Sequence, residues 1–316
     1  MSMHQKTDTS VKTMGLHAVR GFCMGVADIV PGVSGGTIAL ILGIYERLIA
    51  NVRTGATALE RLAKLDPRGA LARVKELEWS FIVPLLGGIV VAFGALSHII
   101  EDLLTDYPEE MAGLFIGLVA ASVVIAWKQV SDWNQTSYTI VGVVAVASFF
   151  LLGFQSGLIT DPSPIQFVGA GAIAICAMIL PGISGSFLLV MMGMYAGLLG
   201  AVNDRELGDI AVFMVGAVIG LALFSTLLSW LLDNHHDRIL ASLIGLMLGS
   251  VRVLWPWPNG VGIISDEEAE AVKGTKLGWA DDFGSFVWPT VLAAVAFALV
   301  LGLSVVGDRR LTARST

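Results

Sequence analysis

The sequence predicts an all-α integral membrane protein with an inverted-topology repeat, in which each half holds one re-entrant helical hairpin and three transmembrane helices. Composition carries the first part of this prediction. Apolar residues make up 55% of the 316 residues and charged residues only 14%, and mean hydropathy is +0.78, whereas globular domains average about 25% charged. The repeat is predicted by one proline-glycine pattern that occurs twice in apolar surroundings.

The pattern Pro31-Gly32-Val33-Ser34-Gly35-Gly36, here the first motif, returns 150 residues later as Pro181-Gly182-Ile183-Ser184-Gly185-Ser186, the second motif. Proline and glycine end a helix. Because lipid cannot hydrogen-bond the freed backbone groups, a break at membrane depth usually lines a cavity or a site. The flanks match as well. Across the motif and its flanks, the residues of the first copy that recur 150 positions later are Ala27, Ile29, Pro31, Gly32, Ser34, Gly35, Gly43, Tyr45 and Leu48.

The apolar segments show the same order in both halves, a broken segment followed by three simple ones. They lie at about 15–48, 79–100, 111–127, 138–154, 165–200, 210–232, 239–255 and 286–306. We therefore expect a polar tail at 1–14, repeat 1 at 15–154, repeat 2 at 165–306 and a tail at 307–316. Within the repeats, the hairpins are expected at 15–48 and 165–200, with a linker at 49–78 in the first.

Charge predicts the orientation. The linker region is rich in arginine and lysine, and both tails add basic residues, whereas the loop at 101–110 is acidic with no basic residue. By the positive-inside rule, the linker and both termini are cytoplasmic. The hairpin at 15–48 then enters and leaves on the inner face, and counting back from the C-terminus places the second hairpin on the outer face. The first 14 residues are polar, so no cleaved signal peptide is visible.

Within the linker, leucines recur at three-residue steps between basic side chains. This pattern predicts two helices separated at Asp66-Pro67. They lie either on an anionic lipid surface or in solvent as an ordinary linker; the spacing does not decide between these interpretations.

The two motifs predict an anion site near the midplane. We expect a helix to begin near Thr37, and near Phe187 in the second copy, with its free N–H groups and positive dipole end facing the bend. The alternative is that the glycines permit close helix packing. The candidate phosphate-binding residues are Pro31, Gly32, Ser34, Gly35, Gly36, Thr37, Pro181, Gly182, Ser184, Gly185, Ser186 and Arg252.

Charged residues in apolar segments are functional candidates. Asp28 precedes Pro31, and its equivalent in the second half is Met178. Asp28 either carries a coupling cation, proton or sodium, or caps a helix at the bend. Glu46 is a second coupling candidate; the alternative is that it only marks the inner interface. Arg252 could bind a phosphate bidentately, or its side chain could extend to the outer interface beside Trp255 and Trp257.

The run from Gly25 to Thr37, followed by Gly43-Ile44-Tyr45-Glu46, and the second run from Met178 to Ser186 resemble the motifs of the bacterial polyprenyl-phosphate translocases of the PopT type. The resemblance covers nearly the whole chain. It implies a flippase in the bacterial cytoplasmic membrane that returns undecaprenyl phosphate, the carrier lipid of cell-wall synthesis, to the inner leaflet.

Two other functions are alternatives to lipid transport. A transporter or channel for small soluble anions would also use broken helices with serine and glycine at the bend. A lipid phosphatase would need a histidine nucleophile or a metal-binding carboxylate cluster, and the five histidines form no such constellation. We therefore expect no enzyme activity, no cofactor and no metal, and the basic residues form no stripe suited to nucleic acid. The coupling ion, the prenyl length and a homo-oligomeric state stay open.

Overall fold

The structure is a computed structural model that describes residues 11–29, 34–154, 159, 162–257 and 277–315. Within these ranges every regular element is a helix. In chain order the helices are α1 (Val11–Asp28), α2 (Gly35–Ile41), α3 (Tyr45–Ala63), α4 (Pro67–Glu76), α5 (Trp79–Asp106), α6 (Pro108–Gln129), α7 (Gln135–Leu151), α8 (Pro164–Ile179), α9 (Gly185–Met191), α10 (Tyr195–Asn203), α11 (Leu207–Gly249), α12 (Val251–Leu254) and α13 (Phe283–Ser315).

Four stretches of helix among the described residues are long and apolar enough to cross a membrane: Trp79–Leu96, Pro108–Gln129, Leu207–Leu254 and Phe283–Gly302. The pair α9 and α10 passes the same test jointly and is bent by 113°, so the number of candidate spans is four or five. Helices α7 and α8 are apolar but shorter.

The segments expected at 210–232 and 239–255 fall largely in one long helix. Helix α11 has 43 residues, and its only residue with non-helical dihedral angles is His235, at φ −138° and ψ 41°. Its length of roughly 65 Å is about twice the hydrocarbon thickness of a bilayer. The kink at His235 divides it into an arm at 207–234, about 42 Å long and sufficient for one crossing, and an arm at 236–249 of about 21 Å, which is followed by α12.

The two halves pack through equivalent helix pairs. Helix α1 packs on α5 as α8 packs on α11, and α6 packs on α13 as α7 packs on α11. Small residues lie at each crossing: a side chain at Gly25 would collide with Ile89, and one at Gly245 would collide with Val144. Backbones approach closely where the side chain is absent, so glycine determines these contacts in both halves. The largest buried cluster lies between the halves and includes Met24, Leu40, Phe81, Leu243 and Met247.

The linker forms two helices, as the leucine spacing predicts. Asp66 caps α4 by accepting a hydrogen bond from the Gly69 amide at 2.9 Å, and Pro67 occupies the first turn, where no N–H is needed. Helix α3 begins at Tyr45, so the expected boundary between hairpin and linker at 48–49 lies inside one continuous helix. The motif helices also begin two residues earlier than expected, at Gly35 and Gly185.

Candidate functional site

The two motifs lead into the same local structure. Ser34 and Ser184 occupy the N-cap positions of α2 and α9 in extended conformation. Both short helices end at a glycine with positive φ, 65° at Gly43 and 70° at Gly193. The amides after them close the same turn, since Ile44 donates to Ala39 and its counterpart Met194 donates to Leu189, each at 2.9 Å. This arrangement is the Schellman motif, which favours glycine because the left-handed region is strained for other residues.

The first motif and the helices that follow it hydrogen-bond to the second bend. The Ser34 hydroxyl donates to the Met178 carbonyl at 2.8 Å, and the Tyr45 hydroxyl donates to the Ile179 carbonyl at 3.2 Å. In the opposite direction, the Gly182 amide donates to the Thr37 hydroxyl oxygen at 2.9 Å. The predicted residues Ser34, Thr37 and Gly182 therefore lie together.

These bonds follow from how α8 ends. The last carbonyls of a helix have no partner within the helix, and Pro181 has no N–H to offer them. Met178 and Ile179 are the last two residues of α8. Hydroxyl groups from the first half supply the hydrogen-bond donors that their carbonyls lack. Gly182 has φ +87°, and a side chain there would meet the Met247 backbone at 2.8 Å. Only glycine fits this turn without strain.

The start of α2 is closed to a ligand. Asp28 accepts a hydrogen bond from the Gly35 amide at 2.6 Å, and the Ser34 hydroxyl oxygen accepts one from the Gly36 amide at 3.0 Å. The space that a side chain would occupy at Gly35 holds the Asp28 carboxylate, and at Gly36 it holds the Ile179 carbonyl. Gly35 and Gly36 therefore serve close packing, and the Asp28 carboxylate binds the first amide of α2.

The start of α9 differs because Met178 replaces the carboxylate. The Ser184 and Ser186 hydroxyl oxygens lie 2.8 Å apart, and Ser184 makes no side-chain capping bond to α9. One hydroxyl proton of this pair has no recorded acceptor among the described residues. The space beside Gly185 is occupied by Ala174 and Met178, so this glycine also serves packing. The second motif thus keeps a hydroxyl proton without an acceptor in the described part of the chain, whereas the Ser34 hydroxyl of the first motif donates to the Met178 carbonyl.

Arg252 lies in α12, and one of its side-chain nitrogens has no hydrogen-bond partner among the described residues. This atom, Nε, is buried. The guanidinium lies beside Gly153, where a side chain would meet Nε at 2.9 Å, and 5.4 Å from the centre of the Phe149 ring. A buried donor without an acceptor is costly, so this group is suited to an anion.

Met247 and Val253, which lie before and after Arg252 in the chain, contact residues in or next to the second motif. Met247 borders Gly182, and Val253 shares a small buried cluster with Phe187, the third residue of α9. Helix α12, which carries Arg252, and helix α9, which follows the second motif, therefore share a buried cluster. The phenyl ring of Phe149 and the gap at Gly153 lie beside the Arg252 guanidinium, and nothing in the sequence pattern pointed to either.

The remaining predicted residues have the following positions. Pro31 and Gly32 lie outside the described residues, and Pro181 is buried in the second bend. Glu46 lies away from the bends, since its carboxylate is 2.7 Å from Nε2 of His236, beside the kink of α11. Tyr45 was not among the candidates, although its repetition as Tyr195 was a signal that could have found it.

Comparison with known proteins adds a family to this geometry. A family model described as VCA0040-like, undecaprenyl phosphate translocase-like, matches residues 24–272. A polyprenyl-phosphate transporter of Vibrio cholerae is 37% identical over 295 residues, which cover 90% of this chain and 94% of that protein. A polyprenyl-phosphate transporter of Staphylococcus aureus is 28% identical over 258 residues, 76% of this chain and 86% of that protein. No solved structure matches the chain.

Proposed function

Because the chain belongs to the undecaprenyl phosphate translocase-like family, we propose that it transports a polyprenyl phosphate across the bacterial cytoplasmic membrane. The proposed substrate is undecaprenyl phosphate, which the protein returns from the outer to the cytoplasmic leaflet for reuse in envelope synthesis. The prenyl tail stays in lipid while the phosphate crosses through the protein. No covalent step is needed, so the proposed activity is transport and not catalysis.

The buried Nε of Arg252, which has no hydrogen-bond partner among the described residues, is the observation that carries this proposal. A phosphate monoester offers several acceptor oxygens and about two negative charges near neutral pH. Arg252 would bind two of those oxygens in its planar fork. The Ser184 and Ser186 hydroxyls, 2.8 Å apart, would supply further donors, and the adjacent α9 residues would shape the pocket.

The first motif takes a different part in this proposal. The hydroxyls of Ser34 and Thr37 bond to the second bend, and the Gly35 and Gly36 amides are occupied by Asp28 and Ser34. A displacement between the halves would have to break the Ser34–Met178 and Thr37–Gly182 bonds. We therefore assign these bonds to the state in which the bends are locked together, and their rupture to the step that exposes the head group to the other side.

Asp28 is the proposed site of the coupling cation, proton or sodium. Its carboxylate lies next to the bend and accepts a hydrogen bond from the Gly35 amide at the start of α2. Protonation or cation binding would weaken its hold on that amide and loosen the start of α2. Coupling and capping would then be one property, because the charge on Asp28 decides how firmly the first bend is held.

The proposed topology places the two hairpins on opposite faces of the membrane, with both termini inside. Cysteines introduced at the exposed positions Ala72 and Asp204, in a chain lacking Cys23 and Cys176, test it with impermeant thiol reagents. Labelling from opposite faces is expected. Labelling of both positions from the same face of intact cells would contradict the inverted arrangement.

The linker helices supply a proposed contact with anionic lipids. Leu59, Leu62 and Leu71 are each about half exposed, at 45%, 55% and 55%. They are interspersed with exposed Lys64 and Arg68. An amphipathic surface of this kind suits the interface of an acidic leaflet.

Reconstitution separates the lipid substrate from its main alternative. Proteoliposomes containing the full chain would be loaded with fluorescent polyprenyl phosphate, and accessibility to a membrane-impermeant quencher would report movement between leaflets. In parallel, uptake of radiolabelled chloride and inorganic phosphate would be measured. We expect lipid movement without anion uptake. Uptake of soluble anions without lipid movement would favour the anion transporter instead.

A further inference from the structure

A second group of basic side chains lies at the middle of α1, about two to three turns before the bend. His17 and Arg20 of α1 meet Arg47 of α3, and Phe81 of α5 lies beneath them. The Arg47 guanidinium lies 4.3 Å from the centre of the Phe81 ring, and the His17 ring meets the same phenyl edge-on at 5.0 Å. The group is built into the junction of three helices and does not project freely into solvent.

The carboxylate in this group is fully engaged. Glu78 accepts two hydrogen bonds from Arg47, at 2.6 and 3.0 Å, and one from the Asn51 amide at 3.1 Å. Burial raises the pKa of Glu78, but the hydrogen bonds from Arg47 and Asn51 outweigh burial and hold that pKa below its ordinary value. Glu78 therefore stays ionised and neutralises one arginine.

Arg20 is left without a carboxylate among the described residues. Its guanidinium is half-buried, and the contact recorded for it is with Nδ1 of His17 at 3.4 Å. Two guanidinium groups and one carboxylate leave the group with an excess of one positive charge. An excess positive charge in a partly buried place is stabilised by an anion.

His17 shows that an acceptor is missing as well. The ring is only 3% exposed, and its Nε2 faces an Arg47 N–H at 3.5 Å while Nδ1 faces Arg20. Arginine only donates, and a neutral imidazole has one accepting nitrogen. One of the two arginines therefore meets an N–H group. A ligand oxygen between them would give the unmatched donors an acceptor.

The position on α1 connects this group to the bend. His17, Met24 and Asp28 are spaced by seven and four residues, so they lie on one face of the helix. His17 is roughly 16 Å along the axis from Asp28. By charge, the start of α1 is the cytoplasmic end. The group thus lies between the bends and the inner leaflet.

We propose that His17, Arg20 and Arg47 form a second binding site for a phosphate monoester, which receives the head group of the transported lipid before its release into the cytoplasmic leaflet. The assignment to a lipid rests on the proposed function. Phosphate chemistry alone is shared by the lipid head group and by free phosphate. The two sources differ in the prenyl chain, which only a membrane-embedded substrate can place beside α1.

Calorimetric titration of the full-length, detergent-solubilised protein with farnesyl phosphate, a short polyprenyl phosphate, tests this site. The Arg20→Gln variant should lose one class of binding site or bind there at least about tenfold more weakly, while the class that depends on Arg252 remains. Arg20→Lys, which keeps the charge, should retain part of the affinity. Arg205→Gln removes an exposed arginine that has no ion pair among the described residues and is the control, which should bind like the wild type.

The outcomes separate the two proposals. Wild-type binding by a folded Arg20→Gln protein, with Arg252→Gln impaired, would overturn the second site and leave the proposed function intact. The reverse result would retain the second site and contradict the assignment of Arg252. A parallel titration with inorganic phosphate distinguishes the ligands. Binding of inorganic phosphate as tight as that of farnesyl phosphate, and dependent on Arg20, would overturn the assignment to the lipid.

Discussion

The Thr37 hydroxyl oxygen accepts a hydrogen bond from the Gly182 amide at 2.9 Å, and both residues are buried. The bond joins residues 145 positions apart, one directly after the first motif and one within the second. Gly182 has φ +87°, and its amide has no backbone acceptor among the described residues. The hydroxyl from the first half thereby completes the hydrogen bonding of the second.

Replacing Thr37 with valine should destabilise the protein. Valine keeps the shape but leaves the buried Gly182 amide without an acceptor, at a cost of about 1–3 kcal/mol. Thermal unfolding in detergent measures the effect. Thr54→Val is the control, because the Thr54 hydroxyl bonds within its own helix at an exposed position. Equal melting temperatures for the two variants would show that the link between the motifs contributes little.

Replacing Gly182 with alanine should cost at least about 1–2 kcal/mol, because alanine resists the left-handed conformation and its side chain would press on Met247. Gly200→Ala is the matched control, since Gly200 lies in helix α10 with open space around it. There alanine should stabilise the helix by up to about 1 kcal/mol. A neutral result at Gly182 would argue against the turn described for the second bend.

Asp28→Asn separates coupling from capping. The amide oxygen of asparagine can still accept the hydrogen bond from Gly35, so we expect near-normal folding and lipid binding. If Asp28 carries the coupling proton, transport in proteoliposomes should no longer depend on an imposed pH gradient. Glu46→Gln should keep that dependence, because Glu46 pairs with His236 away from the bends. Unchanged gradient dependence in Asp28→Asn would leave Asp28 as a cap only.

Acid should weaken the contact between α3 and α5. The pKa of Glu78 lies below its ordinary value of 4.5, so the stabilisation by this carboxylate is complete above that value and is lost as pH falls through the lowered pKa. The difference in melting temperature between the wild type and Glu78→Gln should therefore be largest near neutral pH and shrink in acid. Glu76→Gln, in an exposed pair with Arg73, should show a smaller difference. A difference in melting temperature that does not change with pH would contradict an ionised Glu78 paired with Arg47.

Local patterns predicted much of the fold. The paired Pro-Gly segments, the two linker helices and the break before Pro67 all depend on residues close together in the chain, where proline and glycine act directly on the backbone. The starts of the motif helices were predicted two residues late, because Ser34 and Ser184 act as N-caps and begin the helices at the following glycine.

The site could be predicted only in part. The replacement of Asp28 by Met178 in the second half was visible, but its consequence was not, because the reach of Asp28 to the Gly35 amide depends on how the bend folds back. The contact of Arg252 with Gly153 joins residues far apart in sequence. No periodicity marks such a pair, since it arises when α7 packs against the end of α11.

The proposed transport depends most on binding of the polyprenyl-phosphate head group by Arg252 and the second motif. The most direct test is the rate of polyprenyl-phosphate translocation by Arg252→Gln in proteoliposomes, with Arg205→Gln, an exposed arginine, as control. We predict a fall of at least about tenfold for Arg252→Gln, an unchanged rate for the control, and similar melting temperatures. A wild-type rate in Arg252→Gln would contradict the claim.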